Sequence, residues 1–344
     1  MRIITQTLPL RANVHKNLLP AVRMLFGIAA LGYVGWNLYQ LSLSELVLWK
    51  DSLVVTPLSL FFFFIAISLT IVNWGIEAAK WKMITAPLQH ISWLQATKGV
   101  LFGISLGMIT PKRTGEFAGK IIILQPENRI KGLVLNSLTG MSQLFITLFM
   151  GSLALLYWMV FIEDSAFIRA ATLPYNFNFF LSAGLLLALT ILGLIYTASL
   201  AAPAIKKKRY SGRIISVLLS TLTLASRQTL SSILLLSAVR YGVFVTQFYL
   251  LAVILGLQVH LIDFVAITGI MYLIMTLIPL SAIWELGIRG SVALFVFGIY
   301  LPGEMGYEAA VVAASTGLWV INLALPAIVG GLWALRTENE NLLN

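Results

Sequence analysis

Apolar residues run along this chain in six unbroken stretches and two broken ones. Residues 18–41, 57–78, 133–161, 179–200, 231–257 and 309–335 are each long enough for a helix across a bilayer core, which needs about 20 residues. Residues 93–124 and 264–300 are equally apolar but are interrupted near the middle by Pro111 and Pro279. Proline removes a backbone donor and clashes with the preceding turn, so each of these regions reads as two helical arms around a break. The arms are either two crossing helices or a re-entrant pair. Backbone freed at such a break is tolerated only inside protein or along a wet cavity. The pattern predicts an all-α fold: a polytopic membrane protein with about six full transmembrane helices and two proline-broken hairpins. Residues 1–344 form one integral membrane domain. Its first half, 18–200, holds the hairpin at 93–124, and its second half, 211–335, holds the hairpin at 264–300. A short tail follows at 336–344.

Composition agrees. Of 344 residues, 59% are hydrophobic and only 10% charged, against about 25% charged in soluble domains. The net charge of +10 sits in short loops beside apolar spans, a distribution that orients a membrane protein and does not make a nucleic-acid surface. There are no cysteines, which excludes disulfides, thiol catalysis and thiolate metal sites. The N-terminal basic segment runs into an apolar stretch too long for a signal-peptide core, so it reads as a retained first span. Lys and Arg accumulate on alternate sides, most densely at Lys206, Lys207, Lys208 and Arg209, which places both termini in the cytoplasm. Residues 211–227 mix Arg, Ser and Thr with Ile and Leu. They read equally as an interfacial amphipathic helix or as an extension of the next span.

The chemistry concentrates at the two breaks. Each has a proline, then a glutamate, then a cation four residues later: Pro111, Glu116 and Lys120 in one, Pro279, Glu285 and Arg289 in the other. Charged residues at membrane depth are costly unless they face protein or water. A Pro-interrupted segment in each half points to a substrate site built from broken helices in inverted repeats, with the hairpins entering from opposite faces. Lys112 and Arg113 follow Pro111, where a helix restarts and its free N–H groups suit a phosphate. Arg113 adds a planar fork matched to phosphate oxygens. Glu116 lies one turn from both Lys112 and Lys120 and is able to neutralise one cation while leaving another free. The plainer alternative is that these charges only pin the hairpin, and it weighs more at the balanced Glu285–Arg289 pair. The candidate headgroup-binding set is Lys112, Arg113, Glu116, Lys120, Glu285 and Arg289.

These residues also carry a resemblance. The segment 110–116, TPKRTGE, resembles the Pro-x-Arg-x-Gly-Glu signature of the flippase-like membrane family, named after the transmembrane region of lysylphosphatidylglycerol synthases. Lys80-Trp81-Lys82 is similar to its basic-Trp-basic element, and residues 278–281 with Gly287 and Arg289 are similar to its second proline- and glycine-rich element. Two departures stand out. Residues 137–143 lack the acidic-basic element of the next span, and Gly290 follows Arg289 where the family places a glutamate. The resemblance implies translocation of a phospholipid or a lipid-linked sugar. The namesake's aminoacyl-transferring domain has no counterpart before the chain ends, which argues against lipid aminoacylation.

The reading that follows is a lipid translocase of the prokaryotic plasma membrane, moving an anionic phospholipid or a polyprenyl-phosphate-linked glycan, with no cofactor or metal and no enzyme activity. The competing readings are a membrane-embedded lipid-phosphate enzyme and a non-transporting partner of a glycosyltransferase or synthase. No GxSxG, HExxH or P-loop pattern occurs, and Asp51, Asp164 and Asp263 are far apart. Gly99, Gly103 and Gly107 form a smooth helix face for close packing. Arg240, inside an apolar span, is expected to snorkel to cytoplasmic headgroups. Trp36, Trp49, Trp81 and Trp93 are expected in interfacial belts. His15, His90 and His260 are expected on the surface.

Overall fold

The structure is a computed structural model that describes residues 56–110, 113–161, 193, 220–278, 282–301 and 307–342. All regular structure in these residues is helical. The helices are α1 (Pro57–Thr85), α2 (Trp93–Ile109), α3 (Gly115–Ile121), α4 (Arg129–Phe161), α5 (Arg227–Ile254), α6 (Leu261–Leu277), α7 (Ala282–Tyr300), α8 (Tyr307–Trp319) and α9 (Leu325–Leu342). The expected spans at 18–41 and 179–200, the cationic run 206–209 and most of 211–227 lie outside the described residues. Among the described residues, four stretches are long and apolar enough to cross a membrane: Pro57–Thr85, Pro126–Trp158, Arg227–Ile254 and Tyr307–Ala334. Large apolar side chains such as Phe61, Phe64, Ile71 and Leu332 stand exposed along them, the outward face of an integral membrane protein.

Local sequence sets where these helices start. Thr56 and Ser59 form a reciprocal capping box ahead of α1, with Pro57 in its first turn. Ser92 and Gln95 do the same for α2, and Ser226 caps α5 through the Thr229 amide. Each cap satisfies backbone N–H groups that a helix start otherwise leaves without partners. At its far end α5 stops at Gly256, whose φ of 86° turns the chain.

Contacts between helices fix their directions. α5 runs antiparallel to α1, since Gln247 reaches Ala66 and Thr70 while Arg240 reaches Asn73 and Glu77. Gln125 and Asn128 hydrogen-bond to Gln89 and Leu88, so the chain leaves the first broken region at the end where it entered. The seven residues of α3 rise only about 10 Å, far short of a bilayer core. The first hairpin therefore turns back on itself. α6 begins at the opposite end of the bundle, where Asp263 accepts from Tyr157 near the end of α4. α7 returns there, with Tyr300 against Trp158. The two hairpins thus come in from opposite ends.

Glycine lets the first hairpin close. A Cβ on Gly103 would stand 2.7 Å from the Glu116 carbonyl oxygen, and one on Gly107 would stand 2.7 Å from the Glu116 side chain. A Cβ on Gly119 would collide with the backbone of Gly103. The stripe Gly99–Gly103–Gly107 is the face on which α3 lies, close packing of the small-residue kind. Ser105 donates to the Ala327 carbonyl at 2.6 Å, which fastens α9 to the other side of α2.

Two apolar cores flank the middle of the bundle. One gathers Phe248, Phe264 and Phe297 from α5, α6 and α7, with ring centroids 5.2–5.9 Å apart. The other gathers Trp81, Ile84, Val100, Leu135, Leu230 and Ile233 from α1, α2, α4 and α5. Trp81 is 1% exposed and packs in this second core, so it is not an interfacial belt residue. The reason is geometric: α1 continues past residue 78 to Thr85, and its last turns are covered by α2 and α4. Trp93, 54% exposed, does face outward, and His90 and His260 are exposed.

Candidate functional site

Two groups of polar side chains lie within the bundle. The first is at the hairpin tips. Arg113 sits in the turn between α2 and α3, and Glu285 in the first turn of α7, 172 residues away. The Arg113 Nη1 donates to Glu285 Oε2 at 3.2 Å, and its Nε donates to Glu116 Oε1 at 2.6 Å. Glu285 also accepts from Arg289 Nη2 at 2.8 Å. One arginine therefore joins a carboxylate of its own hairpin to a carboxylate of the opposing one.

Arg113 holds this position with a φ of 55°, in the left-handed region. That conformation costs a side-chain-bearing residue roughly 1–2 kcal/mol. Two charge-assisted hydrogen bonds offset it. The Gly115 amide donates to Thr110 Oγ1 at 2.8 Å, which closes the same turn.

Of the six residues singled out in the sequence, Arg113, Glu116, Glu285 and Arg289 form this cluster. Lys112 lies outside the described residues. Lys120 does not join it, and it does not pair with Glu116: its Nζ lies 2.5 Å from Glu77 Oε1. The Glu77 side chain is 9% exposed and that of Glu116 is 30% exposed. The more buried carboxylate attracts an ammonium more strongly because less water screens the pair.

Glu77 is the centre of the second group. It receives Lys120, Lys80 at 3.3 Å and Arg240 at 3.0 Å. Arg240 is thereby held inside the protein and does not snorkel to headgroups. Its Nε donates to Asn73 Oδ1 at 2.7 Å, and its guanidinium carbon lies 5.2 Å from the Trp74 ring centroid. Lys120 also reaches Asn136 Oδ1 at 3.4 Å. Asn73 donates to Asn322 at 2.7 Å, and Asn322 donates to Gln247 at 3.1 Å. Asn322 lies in a π-helical segment, Val320–Ala324, that interrupts the run from α8 to α9. Such widened turns are common at functional positions.

The sequence reading missed Glu77, Asn73, Asn322 and Gln247. A signal existed: Asn73, Glu77 and Lys80 recur at helical spacing, as do Arg240 and Gln247, so each helix carries a polar stripe along one face of an apolar span.

A cavity of about 370 Å³ opens beside the hairpin tips. Arg113, Glu285, Arg289, Gln143, Tyr241 and Tyr272 give it a polar lining, and Phe244 and Met275 are among its apolar wall. Three buried polar atoms on this wall have no well-aligned hydrogen-bond partner among the described residues, Gln143 Oε1, Tyr272 Oη and Arg289 Nε, although the Tyr272 hydroxyl lies within reach of the Arg289 guanidinium. Native interiors satisfy almost all such atoms, so the Gln143 oxygen marks a place for a polar occupant. The guanidinium N–H donates, the amide oxygen accepts, and the phenol is able to do both. A smaller, mostly apolar groove of about 280 Å³ lies between α2 and α9, with Lys98 and Trp333 on its wall.

The arrangement offers both charged and hydrogen-bonding groups to the cavity. Among the described residues, no three His, Asp or Glu side chains gather as a metal site would require. No family model matches the chain, and no curated protein matches it.

Proposed function

We propose that this protein is a lipid translocase that passes an anionic headgroup through the cavity between the two hairpin tips. The observation that carries this reading is the Arg113–Glu285 contact. It joins two hairpins entering from opposite ends, at a polar cavity inside the bundle. The resemblance of residues 110–116 to the flippase-like signature supports it, because Arg113 and Glu116 of that segment are the residues at the tip.

The headgroup phosphate displaces a carboxylate from Arg113 and takes donors from Arg289 and Tyr272. Gln143 accepts from a headgroup hydroxyl. Once Arg113 is engaged by phosphate, its bond to Glu285 is released while Glu285 keeps Arg289. The tip contact then opens, and one hairpin moves away from the other. Alternation between the hairpins exposes the site to one face and then the other, the behaviour of inverted repeats around a central site. The substrate is a phospholipid or a polyprenyl-phosphate-linked glycan in the prokaryotic plasma membrane, and both termini are cytoplasmic. Lys120 belongs to the neighbouring Glu77 centre and acts on the headgroup from there.

Reconstitution into vesicles carrying labelled phosphatidylglycerol tests the proposal. Wild-type protein is expected to equilibrate the label between leaflets, and Arg113→Ala to leave it at the rate of protein-free vesicles. Equal rates for the two proteins would reject the assignment of Arg113 to the headgroup.

A further inference from the structure

Among the described residues, charge at the Glu77 centre does not balance. Three cations converge on one carboxylate, and the side chains of Lys80, Lys120 and Arg240 are only 1%, 8% and 14% exposed. The amides beside them, Asn73 and Asn136, are neutral. An ammonium carries three N–H donors and a guanidinium five. The two Glu77 oxygens and two amide oxygens accept only a few of these. Two excess positive charges in a low-dielectric interior are costly unless an anion lies within their field.

The tip cavity borders this centre. The Arg240 guanidinium carbon lies 5.4 Å from the Phe244 ring centroid, and Phe244 and its neighbour Tyr241 are cavity wall. The described charges at the tips themselves cancel, since Arg113 and Arg289 face Glu116 and Glu285. A cavity lined by balanced charges therefore stands against a positive wall.

We infer that the buried cations around Glu77 set the sign of the ligand, so that the balanced cavity at the hairpin tips takes a phosphate-type oxyanion and not a zwitterionic headgroup. This rests on the cavity being the ligand site. The tips supply hydrogen-bond geometry, and the Glu77 centre supplies the potential. Lys80 and Arg240 act on the ligand through space, as determinants of specificity. The oxyanion is the phosphodiester of a lipid or free phosphate, which share this chemistry.

Two substitutions lower the excess charge without emptying the site. Asn136→Asp places a carboxylate where Lys120 already has an amide partner, and Lys80→Met removes an ammonium while keeping the bulk of the side chain. Binding of phosphatidylglycerol and of phosphatidylcholine to the purified full chain is measured by native mass spectrometry. A unit charge on the order of 10 Å from a ligand, at an effective dielectric of about 20, changes affinity roughly tenfold. Each variant is expected to lose about that factor for phosphatidylglycerol, with phosphatidylcholine unchanged, and the double variant to lose more. Asn136→Asp is expected also to unfold at a higher temperature, which separates the loss of affinity from any loss of fold. Competition by inorganic phosphate identifies free phosphate as a ligand of the same site, and its failure to compete assigns the site to the lipid headgroup. An unchanged preference between the two lipids in both variants would overturn the inference and leave the cavity a lipid site. A wild-type chain that binds neither lipid would instead overturn the cavity reading.

Discussion

Lys120 turns its ammonium to Glu77, 2.5 Å away and 43 residues earlier in the chain, although Glu116 lies one helical turn from it. Local spacing offers a pair that the fold does not use. The buried carboxylate holds three cations, so its removal strands all of them. Glu77→Gln is expected to destabilise the protein by about 3–5 kcal/mol, the usual effect of deleting one side of a buried ion pair. Glu116→Gln, at a partly exposed position, is expected to change stability by no more than about 1 kcal/mol. Thermal unfolding of both variants in detergent checks this, and equal losses would contradict the ranking.

Arg113 combines a left-handed backbone with a bridge between two carboxylates. Glycine adopts that backbone without strain. Arg113→Gly is therefore expected to fold at least as well as Arg113→Ala while transporting no label in vesicles. Arg113→Lys keeps the charge but loses the fork that engages two carboxylates at once. Its transport rate is expected to fall by roughly tenfold or more. Wild-type transport by Arg113→Lys would show that charge alone suffices.

The contact between α2 and α3 depends on missing side chains. Gly103→Leu is expected to cost about 1–3 kcal/mol, because the α3 backbone must move to admit it. At Gly140 and Gly242, both within helices, an added methyl would meet nothing within 4 Å among the described residues. Alanine at either is expected to be neutral or stabilising by up to about 1 kcal/mol. Unfolding temperatures of the three variants give the comparison, and a stable Gly103→Leu would mean that the arms are not in contact.

Asn322 ties the π-helical segment to α1 and α5 through Asn73 and Gln247. Asn322→Leu leaves both partners buried with unmet hydrogen bonds, at an expected cost of about 1–3 kcal/mol. Adding Gln247→Leu is expected to recover part of the loss, since the two residues share one network. Strict additivity of the two losses would show that they do not.

The breaks in the hairpins were legible because proline and glycine act through local backbone geometry. The Glu285–Arg289 pair was legible for a similar reason, as its i,i+4 spacing is realised within one helix at 2.8 Å. The apolar spans at 57–78 and 231–257 also match helices, although α1 runs seven residues further than the hydropathy of its end suggested. The Glu77 centre was not legible in the same way. Glu77 lies at the edge of the 57–78 stretch, where a charge reads as the start of a loop, and its partners come from α1, α3 and α5. Arg240 shows the same limit from the other side: an isolated cation in a span suggests escape to water until its carboxylate, 163 residues away, is known.

Hairpins that enter from opposite ends and meet through Arg113 and Glu285 each stand across the other's path. Under the transport proposed above, a hairpin that yields leaves the other still stopping its own side like a cork.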